Sequence, residues 1–198
     1  MAIDFLQLTE NLHRTYDFTA KTVLFVGAGG RQLFDLRVKT KKLIAIDQNS
    51  RALAQLKEGI TTLGSQTPME VIPFRFEDVF VFGDVVYFEF CLHEMTDPRK
   101  ALTHAQSLAP EIIVFDHSVG SEWVFYAAEE EKVRRSAKAM EKFGIRRRAM
   151  FRTNQLFKNH AELLVKIAGQ GPVAIERAKR FEGLRNIAIS MPYELVLL

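Results

Sequence analysis

The chain has 198 residues, enough for one α/β domain and short for two, so residues 1–198 read as a single unit. Hydrophobic residues make up 47% and charged residues 26%, a balance that excludes a disordered or fibrous chain, and the lone Cys91 excludes a disulfide framework or a thiolate metal cluster. The 27 Lys+Arg against 24 Asp+Glu leave a formal charge of +3, too mild to predict a nucleic-acid partner by itself. The first twenty residues or so read as an N-terminal helical cap. Thr22-Val23-Leu24-Phe25-Val26 follows as a strand buried on both faces, ended by Gly27-Ala28-Gly29-Gly30. Leu43-Ile44-Ala45-Ile46 is a second such strand and closes on Asp47. Asn49 or Ser50 then caps a helix with an apolar face of Ala52, Leu53, Leu56 and Ile60. Val71-Ile72-Pro73-Phe74 is a weaker strand whose proline suits a sheet edge, and it leads into Glu77-Asp78.

Asp84 to Phe90 is a fourth strand, and Asp97 caps the next helix with Pro98 in its first position. Glu111 to Phe115 is a fifth strand, ending at Asp116-His117. An inserted helical segment is expected over about 120–158: an amphipathic helix from Ser121 to Phe143, then a loop to Phe157. Asn159 and Glu162 have capping-box spacing for a further helix that Gly169 can stop. Val173 to Phe181 and Asn186 to Leu198 alternate apolar and polar residues like an antiparallel pair. The fold expected is therefore α/β: a Rossmann-like, doubly wound, mostly parallel sheet flanked by helices, with an antiparallel C-terminal strand pair. No apolar run approaches the roughly 18 residues that cross a bilayer. The first five residues lack the basic start and apolar stretch of a secretory signal, which points to a cytoplasmic address.

Three features fall at the C-terminal ends of successive strands, where open α/β sheets bind ligands. The glycine turn at Gly27 lets a ligand lie against bare backbone. Asp47, 20 residues on, can accept hydrogen bonds from both hydroxyls of a ribose. Asp78 offers an acceptor for an adenine amine. Together they describe a nucleoside laid across the sheet edge. Gln32 stands where a dinucleotide fingerprint needs its third glycine, which argues against NAD.

The run Val23 to Gly30 resembles the first motif of the class I S-adenosylmethionine-dependent methyltransferases. Leu43 to Ser50 resembles that family's second, acidic strand end, and Gly83 to Met95, with Leu92-His93, is similar to its fourth strand and following turn. The resemblance spans roughly Thr22 to His117. It implies S-adenosyl-L-methionine as cofactor and S-adenosyl-L-homocysteine as product. Carried over by position, Gly27, Ala28 and Gly29 would face the methionine part. Asp47 would hold the ribose, with Gln48 beside the adenine. Asp78 would bind the adenine amine with Val79 nearby, and Glu89 and Phe90 would border the methionine and sulfonium. Phe25 stands where the family usually has an acid, so the methionine amine would fall to Glu89, Tyr16 or Asp17.

Methyl transfer is an in-line displacement in which positioning supplies about 7–11 kcal/mol. A hydroxyl, thiol or acidic carbon acceptor also needs a base. His93 is the first candidate because imidazole titrates near neutral pH, followed by Glu94, His117 and Asp116. The sequence suggests no metal site. Nine Lys/Arg between Lys132 and Arg152 read either as a solvated helical face, balanced by Glu129-Glu130-Glu131, or as an anion-attracting patch. The reading preferred is a methyltransferase for a small-molecule acceptor. The alternatives are a nucleic-acid (RNA) methyltransferase using that patch, a methyltransferase-like binding domain without turnover, and an NAD(P)-dependent oxidoreductase.

Overall fold

The apolar runs assemble into one sheet in the computed structural model, which describes residues 2–3, 5–27, 40–62 and 67–198. In chain order the elements are β1 (Ala2–Ile3), α1 (Phe5–Thr15), β2 (Thr22–Val26), β3 (Lys42–Ile46), α2 (Ser50–Thr62), β4 (Met69–Ile72), β5 (Val85–Glu89), α3 (Pro98–Leu108) and β6 (Glu111–His117). They continue with α4 (Glu122–Tyr126), α5 (Glu130–Phe143), β7 (Arg147–Asn159), α6 (His160–Ile167), α7 (Pro172–Ala178) and β8 (Arg185–Leu197). The strand order is β1-β7-β8-β6-β5-β2-β3-β4. Strands β2 to β6 are mutually parallel, β8 runs antiparallel to both β6 and β7, and the short β1 pairs antiparallel with β7. The doubly wound sheet with an antiparallel C-terminal pair is thus present.

Alternation along the central strands builds two cores. Val23, Phe25, Val85, Tyr87, Ile113 and Phe115 face one side and pack with residues of α1, α4, α6 and α7. Leu24, Val26, Val86, Phe88, Ile112 and Val114 face the other and pack with α3 and α5. Each fully buried side chain of this size stabilises the fold by about 1.5–3 kcal/mol, which explains why these strands carry no polar face. The edge position of β4 fits Pro73, which follows it directly and has no N–H to give a neighbour.

The expected caps form. Asn49 Oδ1 accepts from the N–H groups of Arg51 and Ala52, Asp97 Oδ1 from Lys100, and Asn159 Oδ1 from Glu162. Three readings of the second half are corrected. The helix expected over Ser121–Phe143 breaks at Ala127-Ala128-Glu129, where Ala128 adopts φ 56°, leaving α4 and α5. The expected loop to Phe157 is the long strand β7, so the segment over 120–158 is helical only as far as Phe143. The partner of the last strand is β7, and Val173 to Phe181 is helical instead. Pro172 starts α7, and the spacing of buried Ala174 and Ala178 is helical, while Val173 and Ile175 stay exposed. Inward-facing Thr153 and Gln155 had masked the two-residue period of β7. Among the described residues, no helix is long and apolar enough to cross a membrane.

Candidate functional site

The strand order reverses at β2, which has β3 on one side and β5 on the other. Helices on the two faces diverge at such a point and leave a crevice beyond the strand ends. Here it is a cleft of about 420 Å³ whose lining includes Gly27 after β2, Asp47 and Gln48 after β3, and Cys91 and Glu94 after β5. Gly27 has φ 78°, and a Cβ there would lie 2.6 Å from Cys91 Cβ and 3.1 Å from the Glu89 carbonyl oxygen. Only glycine fits both constraints. One Asp47 oxygen accepts from the Asn49 N–H at 2.7 Å, which fixes the carboxylate at the mouth of the α2 cap.

The structure thus brings Gly27, Asp47, Gln48 and Glu94 to one cleft. Ala28 and Gly29, with Gly30 and Gln32, lie outside the described residues. Asp78 is exposed at the end of the single helical turn Phe76–Asp78, and the acid of that turn lining the cleft is Glu77. Val79 is buried and its carbonyl accepts from His104 Nε2 at 2.8 Å, away from the lining. Phe74, Arg75, Met95 and Thr96 complete much of the wall, and sequence reasoning did not select them. Phe74, read from the sequence as part of the strand, lies just past its end at Ile72 and is 60% exposed.

Phe25 lies fully in the core and stacks on Tyr87, so it presents nothing to the cleft. Two of the three substitutes for the missing acid are engaged elsewhere. Tyr16 donates to Glu111 at 2.5 Å, and Asp17 accepts from the Thr19 N–H. Glu89 differs. It is 3% exposed, its Oε1 accepts from Tyr87 OH at 2.9 Å, and its Oε2 has no partner among the described residues. Burial pushes its carboxyl up to about 8, against the opposing effect of the Tyr87 hydrogen bond. Phe90 follows with φ 46° and packs its ring between Phe115 and His117.

Beside the cleft, the ends of β5 and β6 hold a buried polar cluster. His93 Nδ1 lies 2.6 Å from Asp116 Oδ1, and the other Asp116 oxygen accepts the His93 backbone N–H at 3.1 Å. His93 Nε2 faces Glu94 at 3.5 Å and Glu129 at 3.8 Å. Lys132 Nζ sits 2.8 Å from Glu94 and 3.5 Å from Glu129. Burial opposes a charge on His93, but Asp116, Glu94 and Glu129 outweigh it and push the imidazole up to about 10. His93 holds Glu94 well below the usual carboxylate range, whereas burial and Glu94 raise Glu129 to about 7. His117 is pushed down to about 4 by burial, and its Nδ1 has no partner among the described residues. His93, His117 and Glu129 also place one ligand-capable atom each within 4.8 Å of one another, a grouping absent from the sequence reading. Glu129, read there as balancing a solvated face, is 4% exposed because the break between α4 and α5 turns it inward.

Part of the basic segment is engaged within the chain. Lys132, Arg134 and Arg148 pair with Glu94, Glu131 and Glu141, respectively. Arg135, Arg146 and Arg147 donate to the carbonyl oxygens of Met95, Leu198 and Thr15. Six of the nine cations are therefore held by this chain itself.

No family model and no curated protein matches the sequence. Solved structures do. A candidate methyltransferase from Bacillus halodurans C-125 is 14% identical, with 98% of this chain and 97% of that one covered at a TM-score of 0.69. A candidate RNA methyltransferase from Pyrococcus horikoshii is 14% identical, covering 98% and 81% at 0.60. Magnesium protoporphyrin IX methyltransferase from Synechocystis PCC 6803, solved with bound S-adenosylhomocysteine, is 12% identical, covering 97% and 80% at 0.55. The similarity covers nearly the whole chain at low sequence identity, and the chain has the fold of the class I S-adenosylmethionine-dependent methyltransferases.

Proposed function

We propose that this protein is an S-adenosylmethionine-dependent methyltransferase acting on a small-molecule acceptor. The observation that carries the reading is the convergence of Gly27, Asp47 and Gln48 on one cleft at the point where the strand order reverses. Asp47 receives the ribose hydroxyls, Gln48 and the exposed ring of Phe74 flank the adenine, and Glu77 or Asp78 takes its amine. The Gly27 backbone lies along the methionine part, near Val26 and Cys91, and the family resemblance assigns Ala28 and Gly29 to the same part. Glu89, with its open Oε2, takes the methionine ammonium in place of the acid that Phe25 replaces, and Phe90 borders the sulfonium. His93, Glu94 and His117 sit on the acceptor side, over the tips of β5 and β6. A small acceptor is favoured over RNA because Lys132, Arg134 and Arg148 are paired with the carboxylates of Glu94, Glu131 and Glu141, which lowers the charge this segment offers to phosphates.

The test is thermal unfolding with S-adenosylhomocysteine, S-adenosylmethionine, NAD or NADP. Ligand at 100 times its dissociation constant adds about 2.7 kcal/mol, which at about 2–4 °C per kcal/mol raises Tm by about 5–10 °C. Asp47→Ala removes one or two charge-assisted hydrogen bonds of about 1.5–3 kcal/mol each and weakens S-adenosylhomocysteine binding at least tenfold. A shift with NAD and none with S-adenosylhomocysteine, or unchanged affinity in Asp47→Ala, refutes the assignment.

A further inference from the structure

We propose that His93, His117 and Glu129 bind a first-row divalent cation, with Zn²⁺ the ion that suits their donor set best. The three ligand-capable atoms lie within 4.8 Å of one another, so a point exists within about 2.8 Å of all of them. Reaching zinc–ligand distances of about 2.0–2.2 Å then requires each side chain to close by less than about 1 Å. Two imidazole nitrogens and one carboxylate oxygen favour zinc and its neighbours over magnesium or calcium, which prefer all-oxygen shells. Three protein ligands also leave a fourth position for water or a substrate atom.

The surroundings support the assignment independently. Asp116 grips His93 through Nδ1 at 2.6 Å and through the backbone N–H, which leaves Nε2, facing Glu94 at 3.5 Å and Glu129 at 3.8 Å, as the ligand atom. A carboxylate behind a ligating imidazole is the usual way the ring is oriented and made more basic toward a metal. Glu129 faces that Nε2 at 3.8 Å, beyond a good hydrogen bond but with space for an ion between. The buried Nδ1 of His117 has no partner among the described residues, although such atoms are nearly always satisfied. Three carboxylates, those of Glu94, Asp116 and Glu129, surround His93, and Lys132 meets Glu94 and Glu129. The ligands come from three separate places, the turn after β5, the end of β6 and the α4–α5 break, so no sequence spacing announces them.

The test uses the full chain, stripped with a chelator and titrated with ZnCl₂ by calorimetry and with CoCl₂ by visible absorption. One equivalent of Zn²⁺ binds, and Co²⁺ gives the d–d bands of a low-coordinate nitrogen/oxygen site. His117→Ala and Glu129→Gln each weaken binding at least tenfold and dim those bands, and Asp116→Asn weakens it about 10–100-fold. His104→Ala, on α3, leaves it unchanged. Glu129→Gln preserves side-chain shape and serves if His117→Ala fails to fold. No saturable binding to folded protein, or equal affinity in Glu129→Gln and wild type, overturns the site. The S-adenosylhomocysteine shift on the same stripped samples keeps the two proposals apart: a retained shift without zinc binding removes only the metal site.

Discussion

Replacing Glu89 by glutamine tests whether the buried end of β5 holds a neutral acid. The wild-type carboxyl is buried at the end of β5 with one oxygen on Tyr87 and the other unpartnered, and burial raises it from 4.5 to about 8. A raised acid contributes stability that is fully present below its unfolded value and is lost as pH climbs through its folded value. From about pH 4.5 upward the unfolded chain ionises Glu89 while the native chain cannot, and native stability falls by 1.36 kcal/mol per pH unit until about pH 8. Between pH 5 and pH 8 this amounts to about 4 kcal/mol. Glu89→Gln has no such slope. Urea unfolding of both proteins at pH 5, 6.5 and 8 reads the effect as a stability difference, in which every other titrating group cancels. The variant gains about 4 kcal/mol relative to wild type over that interval, equivalent to about 8–16 °C in Tm at this chain length. A difference that stays flat across the three pH values shows that Glu89 ionises normally in the fold, and the reasoning from burial fails.

Two further substitutions probe the frame around the site. Gly27→Ala forces a Cβ into φ 78° and to within 2.6 Å of Cys91 Cβ; left-handed backbone and overpacking together cost about 2–5 kcal/mol. Chemical denaturation measures that loss, and adding Cys91→Gly recovers part of it; no recovery means the collision is not the cause. Asp116→Asn breaks the buried pair with His93 and lowers stability by about 3–5 kcal/mol. A loss under 1 kcal/mol in the same assay places the His93–Asp116 contact among the weak ones.

The central strands and three helix caps were legible in the sequence for a local reason. A strand buried on both faces must be apolar throughout, and an Asn or Asp cap acts within three residues of itself. Gly27 and Asp47 were legible for the same cause, since each sits directly after such a strand, whereas Gln48 came from the family resemblance. The second half of the chain resisted because its signals conflict. Thr153 and Gln155 face inward in β7 and blur its alternation, and Val173 and Ile175 mimic a strand while Ala174 and Ala178 supply the buried face of α7.

Local chemistry by itself therefore determined the parallel sheet, Gly27 at the end of β2 and the acid that follows β3. Tertiary structure alone decided that Glu77 rather than Asp78 lines the cleft, that Phe74 stands at its edge, and that Glu129 turns in toward His93 and His117. The difference is physical. Periodicity and capping are set by neighbours within a turn or two, whereas a cluster drawn from β5, β6 and the α4–α5 break exists only once those strand ends and helices have packed together.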